Sequence, residues 1–211
     1  MFTGIIQELG KVKSIEEREE IKTFTIEAAK VLKGKDIGDS IAVNGACMTI
    51  TDLSPSSFKF DAIKESLEKT NLKTLEVGSI VNLEPAMRLE QTVDGHLVQG
   101  HVDCTSEVFK IIQEGENTVI SIKIPKEMKK YLAFKGSITV NGVSLTVARL
   151  EENSFNVAII PHTMAATNFQ YFSPGEVVNL EADLIARYLE SLFNAKEEEA
   201  TYQFLKERNL I

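Results

Sequence analysis

The sequence predicts an all-β protein: two tandem, sequence-related antiparallel barrels, small, six-stranded and Greek-key-like, followed by one C-terminal α-helix. Three observations predict it. The chain repeats itself, each copy alternates apolar and polar residues with the period of a strand, and after Asp183 the period becomes that of a helix.

The repeat comes first. Ser40 to Thr51 reads SIAVNGACMTIT, and Ser137 to Ala148 reads SITVNGVSLTVA. In the register that lays Asn44 on Asn141, Phe58 meets Phe155, Thr70-Asn71 meets Thr167-Asn168, and Gly78 meets Gly175. The run Val81-Asn82-Leu83-Glu84 meets Val178-Asn179-Leu180-Glu181, and Thr3-Gly4-Ile5 aligns with Gln99-Gly100-His101 after a one-residue slip. A chain of 211 residues permits one large or two small domains. The duplication selects two, 1–96 and 97–183, joined near Gln91 to His96, with 184–211 left for the helix.

Each copy opens with a glycine-containing turn and then a strand. Phe58 and Phe60 alternate with Ser57 and Lys59, and Ile120, Ile122 and Ile124 alternate with Ser121 and Lys123, as half-buried strands do. Asn44-Gly45 and Asn141-Gly142 sit between β-branched runs and supply the positive φ of a tight hairpin. One short helical turn interrupts each copy, over Lys64 to Thr70 and over Pro161 to Thr167. Short strands in this number close best into a barrel, which leaves no exposed edge. Beyond Asp183, Leu184, Ile185, Tyr188, Leu189, Leu192 and Phe193 recur at helical spacing, followed by the charged Lys196 to Glu199 and then Tyr202, Phe204 and Leu205. That apolar stripe has two readings: packing on a barrel, or against symmetry mates in an oligomer.

Composition narrows the function. A hydrophobic content of 43% and a charged content of 26% are those of a globular chain with a real core. No apolar run reaches the roughly 20 residues of a membrane helix, and MFTGIIQELG lacks the features of a signal peptide, so a cytoplasmic protein is expected, without membrane partners. The net charge of -8, the lack of Trp and an aromatic content of 7% speak against a nucleic-acid-binding barrel. Cys47 and Cys104 form no C-x-x-C pair, which argues against a disulfide scaffold and against a metal site.

Two similar but unequal pockets suit a reaction between two copies of one small molecule held face to face. At matched positions the first copy offers Cys47 and Thr49 and the second Ser144 and Thr146; Ile5 faces His101, and Glu65 faces His162. The second half is thus richer in groups that move protons near neutral pH. Each residue alone has a plainer reading: an inert buried thiol, a strand-forming threonine, a surface histidine. The signal lies in their shared register, and Cys104, with no such counterpart, is read as inert.

Taken together, MFTGII, VNGACMTIT, the GHVD of Gly100 to Asp103 and VNGVSLTV resemble the riboflavin synthase family of the two-barrel type, over essentially the whole chain. The resemblance implies a transferase that turns two molecules of 6,7-dimethyl-8-ribityllumazine into riboflavin and 5-amino-6-ribitylamino-uracil, the last step of riboflavin biosynthesis. It implies no cofactor and no metal. It further implies one lumazine per barrel, a homotrimer held partly by C-terminal helices, a site between the first barrel of one subunit and the second of its neighbour, and association with lumazine synthase.

Carried over by position, the first pocket takes Gly4, Ile5 and Ile6, then Cys47, Met48 and Thr49, then Asp61, Ala62, Ile63, Lys64, Glu65 and Ser66. The second takes Gly100, His101 and Val102, then Lys135, then Ser144, Leu145 and Thr146, then Ala158, Ile159, Ile160, Pro161, His162 and Thr163, with Asp183 nearby. In the implied chemistry His101 transfers a proton, Ser144 and Thr146 position the base or nucleophile, and Cys47 serves as nucleophile or polar contact. A nucleophilic Cys47 needs a neighbouring group that favours its thiolate. Ala46 stands where some family members carry a second cysteine. A non-catalytic lumazine-binding antenna protein is the nearest alternative, and the presence of Cys47, Thr49, His101, Ser144 and Thr146 argues against it.

Overall fold

The computed structural model describes residues 1–207. In the first half the strands are β1 (Glu8–Arg18), β2 (Ile21–Glu27), β3 (Ser40–Val43), β4 (Ala46–Thr49), β5 (Asp52–Ser54), β6 (Ser57–Ile63) and β7 (Ile80–Pro85), with helix α1 (Lys64–Lys69) after β6. In the second half they are β8 (Cys104–Glu114), β9 (Asn117–Lys123), β10 (Ser137–Val140), β11 (Val143–Leu150), β12 (Ser154–Ile159) and β13 (Val177–Ala182), with α2 (Pro161–Ala166) after β12. Helix α3 (Leu184–Glu207) ends the described chain.

The second half is a closed antiparallel barrel in the order β10-β11-β12-β9-β8-β13. The first half is a seven-stranded sheet in the order β4-β3-β7-β1-β2-β6-β5, the same strand order with one strand cut in two. The strand that matches β11 breaks at Ile50 and Thr51 into β4 and β5, and the Thr51 amide still donates to the Lys59 carbonyl at 2.8 Å. Phe24, Phe58, Phe60 and Leu83 fill one core, and Val108, Ile122, Phe155 and Leu180 the other. Phe24 and Phe60 stack with ring centroids 5.1 Å apart. The alternation in β6 holds, with Phe58 and Phe60 inward and Asp61 exposed, but β9 departs from it: Ser121 and Val119 are also buried, because the outer face of that strand is covered as well, and Ile124 falls one residue past its end.

Both Asn-Gly pairs form the expected two-residue hairpins, β3 to β4 and β10 to β11, with φ of 46° and 82° at Asn44 and Gly45 and 45° and 79° at Asn141 and Gly142. Their second role was not legible beforehand. The two turns meet tip to tip, so that a Cβ on Gly45 would lie 2.7 Å from the Gly142 amide nitrogen, and one on Gly142 would lie 2.7 Å from that of Gly45. Around this contact runs a pseudo-two-fold network of six buried asparagines, three from each half. Asn82 Nδ2 donates to the Asn141 carbonyl (2.9 Å) and Asn179 Nδ2 to the Asn44 carbonyl (2.8 Å). Asn82 Oδ1 accepts from the Asn168 amide (2.7 Å), and Asn179 Oδ1 accepts from the Asn71 amide (2.6 Å).

The matched Thr-Asn pairs belong to the same device. Thr70 and Thr167 each cap a 3-10 turn, Oγ1 accepting from the amides of Leu72 (3.2 Å) and Phe169 (3.4 Å), and so hold Asn71 and Asn168 at the interface. Buried amides are stable only when nearly all their donors and acceptors are matched, which makes such an interface specific in register.

Helix α3 begins on the second barrel. Arg187 donates two hydrogen bonds from Nη2 to Asp103, at 2.8 Å and 2.9 Å, and Asp103 also accepts from the Ala182 amide at 2.8 Å. Further along, Lys130 meets Glu190 at 2.7 Å. Ile185, Tyr188, Leu189, Leu192 and Phe193 are exposed, so the stripe does not pack on its own barrel. Lys196 to Glu199, Tyr202, Phe204 and Leu205 continue α3, as the sequence predicts. No helix among the described residues is long and apolar enough to cross a membrane.

Candidate active site

The hairpins place Cys47 and Ser144 at equivalent points, just past each turn, with their amide groups facing away from the hairpin partner. Those amides are taken up by two glycine straps that cross between the halves. The Ser144 amide donates to the Gly4 carbonyl at 2.8 Å, and the Cys47 amide to the Gly100 carbonyl at 2.9 Å. Gly4 and Gly100 have φ of 77° and 79°, and a Cβ on them would lie 2.6 Å from Ser144 Cβ and 2.7 Å from Cys47 Cβ. Only glycine fits here. The straps also pair with each other: the Phe2 amide donates to the Val98 carbonyl (2.7 Å) and the Val98 amide to the Phe2 carbonyl (3.1 Å).

The crossing regroups the expected residues. Gly4 belongs beside Ser144 and Ile6 packs on the second core, whereas Gly100 belongs beside Cys47 and Val102 packs on the first core. Sequence position had grouped them the other way, because a strap's place in the chain says which barrel follows it and not which barrel it touches.

Ser144 has a partner from outside the repeat register. His96 Nδ1 lies 2.7 Å from Ser144 Oγ, and its Nε2 lies 3.4 Å from Thr139 Oγ1. Burial lowers the pKa of this imidazole, an effect opposed by the nearby negative charge of Asp183, and so favours the neutral ring, whose Nδ1 can accept or donate a hydrogen bond at Ser144. Asp183 in turn accepts from the Ile185 amide at 2.8 Å, at the start of α3. His96 lies in the segment that joins the halves, outside the repeat register, so the duplication carries no signal for it. Cys47, half-buried beside Phe2 and Ala42, carries no equivalent bond to a histidine in the described contacts. Cys104 is buried, and desolvation pushes its thiol up to about 12, in keeping with an inert group.

A family model described as "Lumazine binding domain" matches the chain twice, at 3–86 and 99–183. The riboflavin synthase of Actinobacillus pleuropneumoniae is 43% identical over 196 residues, covering 93% of this chain and 91% of that protein. That of Bacillus subtilis (strain 168) is 40% identical over 203 residues, with 96% and 94% covered. This chain belongs to the riboflavin synthase family. The family is one of enzymes, and the fold is that of its small-molecule-binding relatives: LumP complexed with 6,7-dimethyl-8-(1'-D-ribityl) lumazine superposes with a TM-score of 0.79, and LumP complexed with riboflavin with 0.81, each at 27% identity over 86% of this chain and 99% of that one.

The remaining expected site residues sort by exposure. His101, Thr49, Thr146, Lys135 and His162 present exposed side chains, as do Asp61, Lys64, Glu65, Ala158 and Pro161. Ile63 and Ile160, matched in the repeat, are both 53% exposed, and Ile5 is 37% exposed, apolar surface at strand ends that a flat heterocycle could cover. Ser66, Thr163 and Leu145 are half-buried. Met48, Ala62 and Ile159 turn into the cores, so their side chains support the walls rather than face a ligand. A cavity of about 520 Å³ opens beside Ile63, Lys64 and Glu65, walled on its other side by Arg18 to Ile21. Asp61 Oδ1 accepts from Thr23 Oγ1 at 2.6 Å, which fixes the strand end that leads into it.

Proposed function

We propose that the chain is a transferase that moves a four-carbon unit between two molecules of 6,7-dimethyl-8-ribityllumazine, yielding riboflavin and 5-amino-6-ribitylamino-uracil. The observation that carries this reading is the unequal pair: two hairpins of one design present Cys47 in one half and a histidine-bonded Ser144 in the other. The reaction needs one lumazine to lose a proton from its C7 methyl while the other is attacked at C7, so two related pockets with different proton-handling groups match its demands. In this reading His101 shuttles the methyl proton, Ser144 positioned by His96 orients or delivers the nucleophile, Thr146 assists it, and Cys47 is a polar contact or nucleophile in the other pocket. Lys135, Asp183 and the exposed strand-end residues hold the ribityl chains and pyrimidine edges, and the reaction so drawn consumes only its own substrate, with no cofactor.

The exposed stripe of Ile185, Tyr188, Leu189, Leu192 and Phe193 supports a homotrimer held by α3, with each site completed between the first barrel of one subunit and the second of the next. Association with lumazine synthase, which would supply the substrate, and a cytoplasmic location complete the proposal.

Incubating the protein with 6,7-dimethyl-8-ribityllumazine alone and following riboflavin by absorbance and fluorescence tests it. Riboflavin should form, and His101→Ala and Ser144→Ala should each lower kcat by about a hundredfold, the scale of a lost acid–base partner. Binding without turnover would replace this reading with that of a lumazine-binding antenna protein.

A further inference from the structure

Two glutamates that end the repeated VNLE runs play no part in the chemistry above, yet both are buried, each 4% exposed, against backbone amides. Glu84 Oε1 accepts from the Thr3 amide (2.7 Å) and the Thr3 hydroxyl (2.8 Å), and its Oε2 accepts from the Gly4 amide (3.0 Å). Glu181 repeats the arrangement, taking the Gln99 amide on Oε1 (2.7 Å) and the Gly100 amide on Oε2 (3.0 Å). Two successive N–H groups converge on one carboxylate because the glycine that follows turns the chain at positive φ, the geometry of a small anion-binding nest. The carboxylate that fills each nest belongs to the protein itself. On its far side each strap gives its glycine carbonyl to the opposite half, Gly4 to Ser144 and Gly100 to Cys47, and the next residue is Ile5 or His101.

We propose that Glu84 and Glu181 are positioning residues that act crosswise: Glu84, in the first barrel, sets the strap that walls the Ser144 pocket, and Glu181, in the second, sets the strap that walls the Cys47 pocket. The consequence for ligand binding rests on the lumazine reading above; the crossed control of the two hairpins does not. A carboxylate suits this task better than an amide, since it offers an acceptor oxygen to each N–H, whereas a glutamine would face one of them with its own NH2. Burying a carboxylate is costly, and the strap donors offset part of that cost at both glutamates. Both copies of the repeat keep the same arrangement, which separates it from an accident of one loop.

The test uses the full-length protein with Glu181→Gln and Glu84→Gln, reading amide hydrogen exchange at Cys47 and Ser144 together with titration by 6,7-dimethyl-8-ribityllumazine. Glu181→Gln should speed exchange at Cys47 about tenfold or more and leave Ser144 within about twofold, and Glu84→Gln should do the reverse. Lumazine should bind correspondingly weaker, raising KM more than it lowers kcat. Equal loosening of both amides, or loosening confined to the hairpin of the mutated residue's own barrel, would overturn the proposal. If Glu84→Gln does not fold, a Glu181→Asp variant decides alone, since shortening the side chain must again act on Cys47 and spare Ser144. A protein with the crossed pattern but no riboflavin formation keeps this inference and loses the catalytic reading; turnover without the crossed pattern does the opposite.

Discussion

Glu181 is the residue whose energetics are most exposed to experiment. Desolvation outweighs the Gln99 and Gly100 amides that favour its charged form, Asp103 adds to the rise and Arg187 opposes it, and its pKa is raised to about 7 from the 4.5 of an ordinary glutamate. The native state therefore binds more protons than the unfolded chain between those two values. Stability contributed by this group falls as pH rises through that window and is constant above it, by up to about 3 kcal/mol. Glu181→Gln removes the dependence, so the melting temperature of the variant should gain on the parent between pH 4.5 and 7 and keep a fixed offset at higher pH. A scan that shows a constant offset throughout would refute the assignment. Gly100 gives a second prediction at this scale: Gly100→Ala combines a φ of 79° with a Cβ 2.7 Å from that of Cys47, and should destabilise by at least about 1 kcal/mol, seen as a lower melting temperature.

At the scale of elements, what the sequence conveyed depended on how local the signal was. The hairpins after Val43 and Val140, the alternation in β6 and the short helices after Ile63 and Ile160 were all legible, because turn chemistry and periodicity act over a few residues. The broken strand β4–β5 and the doubly buried β9 were not, since both depend on what packs against them. Helix α3 was legible as a helix, but its anchoring was hidden: Asp103 and Arg187 are separated by a whole barrel in sequence. Arg187→Ala leaves Asp103 facing only the Ala182 amide, and should speed amide exchange in the first turns of α3 about tenfold while the melting of the barrels changes little. If the proposed trimer rests on this helix, sedimentation of the same variant will show it dissociating at concentrations where the parent remains assembled.

For the whole molecule, the asparagine network makes two barrels into one unit. Each of its members serves the opposite half, so removing one strands partners on both sides of the contact. Asn82→Ala and Asn179→Ala should each cost about 2 to 4 kcal/mol and, because they are related by the pseudo-two-fold axis, cost nearly the same. The double variant should fall short of the sum, and calorimetry should then resolve two transitions where the parent shows one. Additive losses with a single transition would mean that the network is incidental to the coupling of the halves.

By itself the sequence determined the fold class, the duplication, the hairpins and the residues that stand just past them, Cys47 and Ser144 above all. Those features are written in composition, period and turn chemistry, which are local. Only the tertiary structure decided that Gly4 lies on Ser144 and Gly100 on Cys47, that His96 bonds to Ser144, and that the repeated asparagines and glutamates are an interface and a pair of clamps rather than marks of ancestry. The physical reason is distance along the chain: these contacts join groups tens of residues to more than a hundred apart, and no short-range pattern specifies which of two nearly identical barrels a strap will cross to meet.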